Sequence, residues 1–198
     1  MRVIAGSASG IQLDVPKHGV RPTMDRVKAA IFSSLADKII GEKILDLFAG
    51  SGALGIEALS RGAASVLFVE EDRQSIAAIE KNLAKTNLQG RVRPQEVFEF
   101  LRRSPLTETF GIIFADPPYE KTKSDERFTE KLLANEKLPQ LLEPGGILVL
   151  EKRPDENLPR TKFWRLVRGK TYGTTEVLFL SAIRNRCRSG SDQSVIGS

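Results

Sequence analysis

Short apolar runs alternate with longer amphipathic stretches along most of the chain. The apolar runs are bounded by turn-forming residues, as buried strands usually are, and predict strands at Lys43–Leu47, Ser65–Glu70, Arg91–Pro94, Ile112–Asp116 and Gly146–Glu151. The amphipathic stretches predict helices near Ala53–Ser60, Arg73–Lys85, Val97–Arg102 and Arg127–Asn135. This alternation predicts an α/β fold, in which helices cover both faces of a parallel sheet.

The two ends of the chain depart from this alternation. The first thirteen residues are expected to form a short hairpin, and a helix should follow it. Near the other end, Lys162–Arg168 and Thr175–Ala182 alternate with a period of two, which predicts an antiparallel hairpin turning around Gly169 and Gly173. The last residues are polar and are expected to be disordered. We therefore divide the chain into an N-terminal extension that grips RNA, a main domain and a tail, at residues 1–38, 39–184 and 185–198.

Asp116-Pro117-Pro118-Tyr119 directly follows the apolar part of a predicted buried strand. The prolines have fixed φ angles and no N–H, so their carbonyls are rigid acceptors. The tyrosine ring offers a flat face on which a base can stack. Together with the Asp116 carboxylate, these groups suit the binding of a planar amino group whose nitrogen is to be alkylated. The alternative is that the tetrapeptide is only a turn, since Asp and Pro dominate turns.

The nitrogen of such an amino group is a poor nucleophile because its lone pair is delocalised into the ring. Two acceptors at its two N–H bonds, here the Asp116 carboxylate and the Pro117 carbonyl, would favour a more tetrahedral nitrogen with a localised lone pair. The bond to the charged acceptor is the stronger of the two. The sequence leaves open whether Asp116 also accepts the departing proton.

A glycine-rich loop follows the first predicted strand. Gly50, Gly52 and Gly55 match G-x-G-x-x-G between a strand and a helix, an arrangement that brings backbone N–H groups close to a bound nucleotide. Glu70 ends the next predicted strand twenty residues after Gly50. At this spacing an acid reaches ribose hydroxyls. The acids at positions 71 and 72 are alternatives, although the position at the strand end favours Glu70.

Asp46 discriminates between two kinds of nucleotide cofactor. It lies in the strand, four residues before the first glycine, where a carboxylate would repel a pyrophosphate. S-adenosylmethionine has no phosphate and carries a sulfonium and an ammonium group, both cationic. The position therefore favours S-adenosylmethionine over NAD, while a purely structural or capping carboxylate is the alternative.

With both motifs present, the chain resembles the Rossmann-like class I S-adenosylmethionine-dependent methyltransferases with a D/N-P-P-Y motif. More narrowly, it resembles the bacterial 16S ribosomal RNA (guanine-N2)-methyltransferase family, through residues 2–13, through Arg21-Pro22-Thr23-Met24-Asp25-Arg26-Val27-Lys28 and through the stretch from Asp46 to Ser60. The resemblance runs from Arg2 to about Ile183. It implies a seven-stranded, mostly parallel sheet whose last strand is antiparallel, and methylation of the N2 amine of a guanine in 16S rRNA.

The resemblance also implies roles for individual residues. The target amine would be held by Asp116, Pro117, Pro118 and Tyr119; S-adenosylmethionine by Asp46, Phe48, Gly50, Gly52, Glu70, Glu96 and Val97; and RNA by Arg2, Arg21, Arg26 and Lys28. Many family members have Asp or Asn where this chain has Glu96, so a first-turn helix acid is an equal alternative for that residue. For Arg26 and Lys28 the alternative is a pair with Asp25 or exposure to solvent.

Composition and charge narrow the class of protein. No apolar run approaches the ~20 residues of a membrane helix, and the first residues include no apolar signal segment. One Cys and one His argue against a zinc site built on those ligands. Residues 1–42 and 152–198 carry net charges of +2 and +6, and residues 43–151 carry −3. Basic flanks are expected where a phosphate-rich partner is gripped, although a solvated surface is the alternative.

These properties complete the expected biochemistry. We expect a cytoplasmic monomer that has no membrane association, contains no metal and releases S-adenosylhomocysteine. Its partner would be 16S rRNA in a small-subunit assembly particle, because a chain of 198 residues has little room for a separate RNA-binding domain.

Three other functions share part of this evidence. Adenine-N6 methylation of DNA uses the same tetrapeptide, and a protein-glutamine methyltransferase presents an amide to a similar site, usually with Asn first. A non-enzymatic nucleotide-binding module would keep the glycine loop without needing Asp116 and Tyr119. The basic flanks argue against a protein substrate, and the Arg21-to-Lys28 stretch argues against DNA.

Overall fold

The computed structural model describes residues 1–16, 25–105, 107–118, 127–156 and 158–184, so the predicted tail lies outside the described residues. Its helices are α1 (Asp25–Leu35), α2 (Ala53–Ser60), α3 (Arg73–Thr86), α4 (Val97–Arg103) and α5 (Phe128–Ala134), with 3-10 turns at Ala36–Ile39 and Leu138–Leu141. Its strands are β1 (Lys43–Leu47), β2 (Ser65–Glu70), β3 (Arg91–Pro94), β4 (Phe110–Ala115), β5 (Leu142–Lys152), β6 (Trp164–Tyr172) and β7 (Thr175–Ala182). Within these ranges, no helix has the length and apolar character needed to cross a membrane.

The seven strands form one sheet in the order β3-β2-β1-β4-β5-β7-β6. Strands β1 to β5 pair in parallel, and β7 is antiparallel to both of its neighbours, β5 and β6. Six strands therefore run in one direction and β7 is reversed, which confirms the predicted fold class. The strand order reverses between β1 and β4, and open α/β sheets bind ligands at the carboxyl ends of the strands beside such a point.

The helices bury two hydrophobic clusters, one on each face of the sheet. On one face, here called the α1 face, helices α1, α2 and α3 pack together with the N-terminal residues Val3 and Leu13. On the opposite face, the α4 face, helices α4 and α5 cover the sheet. Asp46 belongs to the α1 face, because its cross-strand partners Phe68 and Phe114 lie in the α1-face cluster.

Most predicted boundaries agree with the structure within two residues, and two strands exceed their predicted ranges by more than that. β5 begins at Leu142, four residues before its predicted start. β6 continues through Gly169 to Tyr172, because Gly169 pairs with Leu178 in the sheet and does not turn the chain. The turn lies at Gly173, whose φ of 61° is left-handed.

The predicted N-terminal hairpin is a narrow loop closed by a single antiparallel bridge between Arg2 and Gln12. It docks on the C-terminal end of α2 through Ser60. The Ser7 N–H donates to the Ser60 carbonyl (2.8 Å), and the Ser60 hydroxyl donates to the Ala5 carbonyl (2.6 Å). The N-terminal segment is therefore packed into the same core as the main domain.

Gly6→Ala is expected to detach this loop and to lower the melting temperature. Gly6 has a φ of +86°, and a Cβ there would lie 1.8 Å from the Ser60 carbonyl oxygen. The variant would lose hydrogen bonds worth about 1 kcal/mol each, besides the ~1–2 kcal/mol cost of a left-handed alanine. Calorimetry should show a fall of roughly 6–16 °C, at about 2–4 °C per kcal/mol.

Gly10→Ala is the matched control for Gly6→Ala. Gly10 has nearly the same φ (+85°), but no atom lies within 4 Å of the position of a Cβ. It should therefore show only the cost of the backbone conformation. Equal falls for the two variants would contradict the close contact at Ser60.

Candidate functional site

The loop between β1 and α2 contains two left-handed glycines. Gly50 and Gly52 have φ angles of 55° and 76°, a region in which most side chains are strained. Gly55 lies in the first turn of α2, and a Cβ there would be 2.3 Å from the Phe68 ring. The third glycine therefore allows α2 to pack closely on β2. The backbone has the strand, glycine loop and helix that the sequence predicts.

The Asp46 carboxylate lies buried beneath this loop. Its Oδ2 accepts a hydrogen bond from the Gly55 N–H (2.9 Å), so it caps the first turn of α2, whose N-cap residue is a glycine. Burial raises the pKa of Asp46 well above its usual value; the Gly55 bond opposes this shift, and the charges of Asp116 and Glu70 add to it. A cationic ligand would favour the ionised carboxylate, and a pyrophosphate would oppose it.

Glu70, at the end of β2, contacts the loop from the other side. Its Oε2 accepts from the Gly50 N–H (2.7 Å), and its Oε1 accepts from the N–H groups of Glu71 and Asp72 (2.9 Å each). Asp72 instead caps α3 through the Ser75 N–H (2.8 Å). A carboxylate has about four lone-pair sites, so Glu70 can still accept from a ribose hydroxyl.

Asp116 is the first residue after β4, on the strand next to β1. The β1–β4 register places it two residues beyond the partner of Asp46, so the two Cα atoms lie roughly 8 Å apart by strand geometry. Asp116 is half-buried, Pro117 is buried and Pro118 is exposed. β4 is buried along its whole length and fixes this turn at the sheet edge. Tyr119 lies outside the described residues.

Glu151 is a further carboxylate at this edge that sequence analysis does not assign to the site. Ala115 pairs with Leu150, so Glu151 follows beside Asp116 on the neighbouring strand. It is 3 % exposed, and its Oε1 has no hydrogen-bond partner among the described residues. Burial raises the pKa of Glu151 well above its usual value, and the charges of Asp116 and Asp46 raise it further. Its one signal in the sequence is that it ends an apolar run, as Glu70 does.

Glu151→Gln is expected to reduce the loss of stability as the pH rises from 5 to 8. The pKa of Glu151 is higher in the folded chain than in the unfolded chain. Its contribution is therefore fully present below the usual glutamate pKa and is lost as the pH rises toward the folded value. Each unit of that difference is worth about 1.4 kcal/mol. Denaturant melts at the two pH values measure the effect.

The exposed Glu80 on α3 provides a control for this substitution, as Glu80→Gln. The stability of every variant should still depend somewhat on pH, because the pKa of Asp46 is also raised. If Glu151→Gln lost as much stability between pH 5 and 8 as the unmodified chain, the Glu151 side chain would not be the titrating group.

Glu96 precedes α4 and caps that helix. Its carboxylate accepts from the N–H groups of Phe98 (2.8 Å) and Glu99 (2.7 Å), which is the helix-acid alternative considered for it. Val97 is buried in the first turn of the helix. To contact an adenine amine, Glu96 would have to use the carboxylate lone pairs that do not accept from the helix N–H groups. That contact, and a contact from the Val97 N–H to the adenine ring, stay predictions.

Phe48 follows β1 with a left-handed φ of 56°, which is an outlier for a bulky residue, and backbone strain of this kind clusters at active sites and ligand clamps. Its ring is edge-on to Phe98 (6.2 Å between centroids) and to Phe128 (5.6 Å), and the latter two stack at 6.1 Å. The three rings form an apolar wall beside the loop. No sequence pattern singles out Phe98 and Phe128, because they come from the starts of two distant helices.

The residues expected to contact RNA are in different environments. Arg2 and Arg26 are exposed, and Arg21 lies outside the described residues. Lys28 is fully buried, with its Nζ 3.1 Å from the Glu57 carboxylate and bonded to the Arg2 carbonyl (2.6 Å). This corrects the prediction for Lys28, because a buried ammonium group that is paired with a buried carboxylate does not reach a phosphate.

Comparisons with known proteins give consistent matches over nearly the whole chain. A family model described as "Conserved hypothetical protein 95" matches residues 1–181. The chain is 35% identical over 177 residues to the Ribosomal RNA small subunit methyltransferase D of Haemophilus influenzae, and the match covers 87% of this chain and 89% of that protein.

Two solved structures share the fold. The hypothetical protein TTHA0928 of Thermus thermophilus has a TM-score of 0.77 at 31% identity, over 91% of this chain and 99% of that one. SMU.776, solved in complex with SAH, has a TM-score of 0.66 at 15% identity, over 83% of this chain and 50% of that one. The second likeness concerns the fold alone.

Proposed function

The chain belongs to the family described as Conserved hypothetical protein 95, and from this premise we propose that it methylates the N2 amine of a guanine in 16S ribosomal RNA with S-adenosylmethionine as the donor. The names of relatives that match most of its length support an rRNA substrate over DNA. The fold shared with a protein solved with SAH is consistent with this donor.

The adjacency of Asp46 and Asp116 at the carboxyl edge of β1 and β4 carries the proposal. One carboxylate is buried beneath a glycine loop, and the other begins an Asp-Pro-Pro turn one strand away. The first suits a cationic methyl donor, and the second suits an amine with two N–H bonds to satisfy. A dinucleotide site would have no use for either acid.

Asp46, Gly50, Gly52 and Glu70 are the residues that we assign to the donor. The raised pKa of Asp46 supports this assignment, because a buried acid of this kind gains from a cationic partner. When bound, S-adenosylmethionine supplies a methyl group on a sulfonium. Phe48 and the two rings that pack on it would exclude water from one side of the site.

Asp116 and the Pro117 carbonyl would orient the amine, with Tyr119 stacked on the base. In the transfer, the amine nitrogen would form its bond to the methyl carbon as the sulfur–carbon bond breaks with its electron pair left on sulfur, and Asp116 or water would accept one amine proton. The target base must be unpaired or extruded from a helix, because its amine edge is otherwise occupied. Positioning of aligned reactants would supply roughly 7–11 kcal/mol of the barrier reduction.

Arg2, Arg21 and Arg26 are the N-terminal residues that we assign to RNA. We propose that the substrate is the rRNA of an assembling small-subunit particle and that the protein acts as a cytoplasmic monomer. The names of the relatives, which print the small ribosomal subunit, support the substrate. We also propose that the reaction uses no metal.

Labelled S-adenosylmethionine tests the substrate directly. Label should enter small subunits that lack the modification and should be absent from naked DNA. Mass spectrometry of the digested RNA should place the methyl group on the N2 amine of one guanine. Label in DNA but not in subunits would refute the proposal and favour the adenine-N6 alternative.

A further inference from the structure

β6 is an edge strand that is exposed on both of its faces. Only Trp164 at its start is buried, and every residue from Arg165 to Thr171 is exposed. A strand that only completes a core would alternate between buried and exposed positions. β6 therefore presents a surface that the packing of the described residues does not explain.

Three cations of β6 lie on one face of the sheet. Arg165 opposes Ser181, Arg168 opposes Phe179 and Lys170 opposes Val177, at every second position of β7. Directly opposed residues project to the same side, and Phe179 and Val177 belong to the α1-face cluster. We call Arg165, Arg168 and Lys170 the basic stripe.

A β-bulge makes this alignment. Arg165 and Arg168 are three positions apart on β6, whereas their partners are two apart on β7, because the register shifts between Leu166 and Arg168. Without the extra residue the two arginines would face opposite sides. The bulge therefore turns an irregular spacing in the sequence into a continuous row of charge.

The charge of the stripe is not neutralised within the described part of the chain. None of its three cations forms a salt bridge there, and the β7 residues that face them are uncharged. Glu176 of β7 projects to the opposite face and pairs with Lys152 (2.7 Å). Many cations elsewhere are matched by acids, among them Arg61, Lys81, Lys85, Arg91, Arg102, Arg103, Arg127 and Arg153.

The stripe lies on the side of the sheet that carries Asp46, α1 and the N-terminal loop. Three strand spacings separate β6 from β4, or about 14 Å. The stripe spans four positions of β7, or about 14 Å along the strand, and Lys170 is nearest to the carboxyl edge at which Asp116 lies. A nucleic-acid backbone entering the site from this side would pass over it.

We propose that the basic stripe of β6 binds the phosphate backbone of the rRNA beside the target nucleotide. This inference rests on the proposed function and adds a second contact surface, separate from the N-terminal arginines. Lys170 also lies 5.3 Å from the Tyr172 ring centroid, so an aromatic ring accompanies the charges at the end nearest the site.

The test compares two triple variants of equal charge change. In one, Arg165→Gln, Arg168→Gln and Lys170→Gln remove the stripe; in the other, the cations at positions 91, 102 and 103, which are paired with acids, are changed to Gln. The stripe variant should raise the KM for unmethylated small subunits at least tenfold, with kcat and the Kd for S-adenosylmethionine unchanged. The slope of log Kd for the RNA against log salt should fall by about 2–3, at roughly 0.7–0.9 per phosphate contact. The control should change neither quantity.

Each outcome of the test decides the inference. Equal losses in both variants would show a general effect of net charge and would overturn it. Unchanged KM and salt slope in the stripe variant, with methylation of subunits intact, would overturn it and leave the proposed function standing. If the unmodified chain failed to methylate subunits, the proposed function would fail. The role of the stripe would then be judged on RNA binding alone, and a stripe variant with the same salt slope as the unmodified chain would overturn it.

Discussion

Asp116→Ala should lower the rate of methyl transfer by about 10²–10⁴-fold, the usual scale for one acid–base or orienting group. Asp116 lies beyond the end of β4 and is only half-buried, so its removal should leave the sheet intact. Donor binding should persist, because the residues assigned to the donor lie on β1, β2 and the glycine loop. Single-turnover methyl transfer measures the first effect, and calorimetric titration with S-adenosylmethionine measures the second.

Asp116→Asn separates the hydrogen bond of Asp116 from its charge. The amide oxygen still accepts from the amine, but a charge-assisted bond is about twice as strong as a neutral one. We therefore expect a smaller loss than for the alanine variant. Loss of donor binding in either variant, with turnover of bound donor unchanged, would assign Asp116 to the donor and overturn the role proposed for it.

The sequence predicts the sheet and the glycine loop because local patterns determine them. β1, β2, β3 and β7 have the predicted bounds, since each is a run of apolar or alternating residues bounded by turn residues. The sequence also predicts that Asp46 and Asp116 lie close together. Both are at or near the carboxyl ends of parallel strands, and such ends meet at one edge of the sheet.

The features that the sequence does not predict are residues whose environment is set by distant parts of the chain. Lys28 is in a charged, helix-opening stretch typical of a surface, and only the fold places it against Glu57 of α2. Glu151 becomes a site residue only because β5 pairs with β4. The basic stripe depends on a bulge whose position the alternation of β6 does not reveal. In each case the decisive neighbour lies at least 29 positions away or depends on strand register.

Glu57→Ala is expected to be strongly destabilising, because Glu57 joins the N-terminal segment, α1 and α2. Its carboxylate is fully buried and accepts from Lys28 Nζ (3.1 Å), Arg61 Nε (2.8 Å) and the N–H groups of Ile4 (2.7 Å) and Ala5 (3.1 Å). Breaking a buried ion pair from one side costs about 3–5 kcal/mol. Thermal unfolding should therefore shift downward by roughly 6–20 °C.

Lys28→Met should destabilise the fold less than Glu57→Ala. The difference tests both the role of Glu57 in joining these segments and the burial of Lys28. Without Lys28, the carboxylate keeps three donors; without Glu57, the buried ammonium keeps its bond to the Arg2 carbonyl but loses the carboxylate that balances its charge. A larger fall in melting temperature for Lys28→Met would contradict this asymmetry. Because Lys28 is fully buried, Lys28→Met should also leave the salt slope of RNA binding unchanged at temperatures where the variant is folded. A slope reduced by about one phosphate contact would instead restore Lys28 as an RNA ligand.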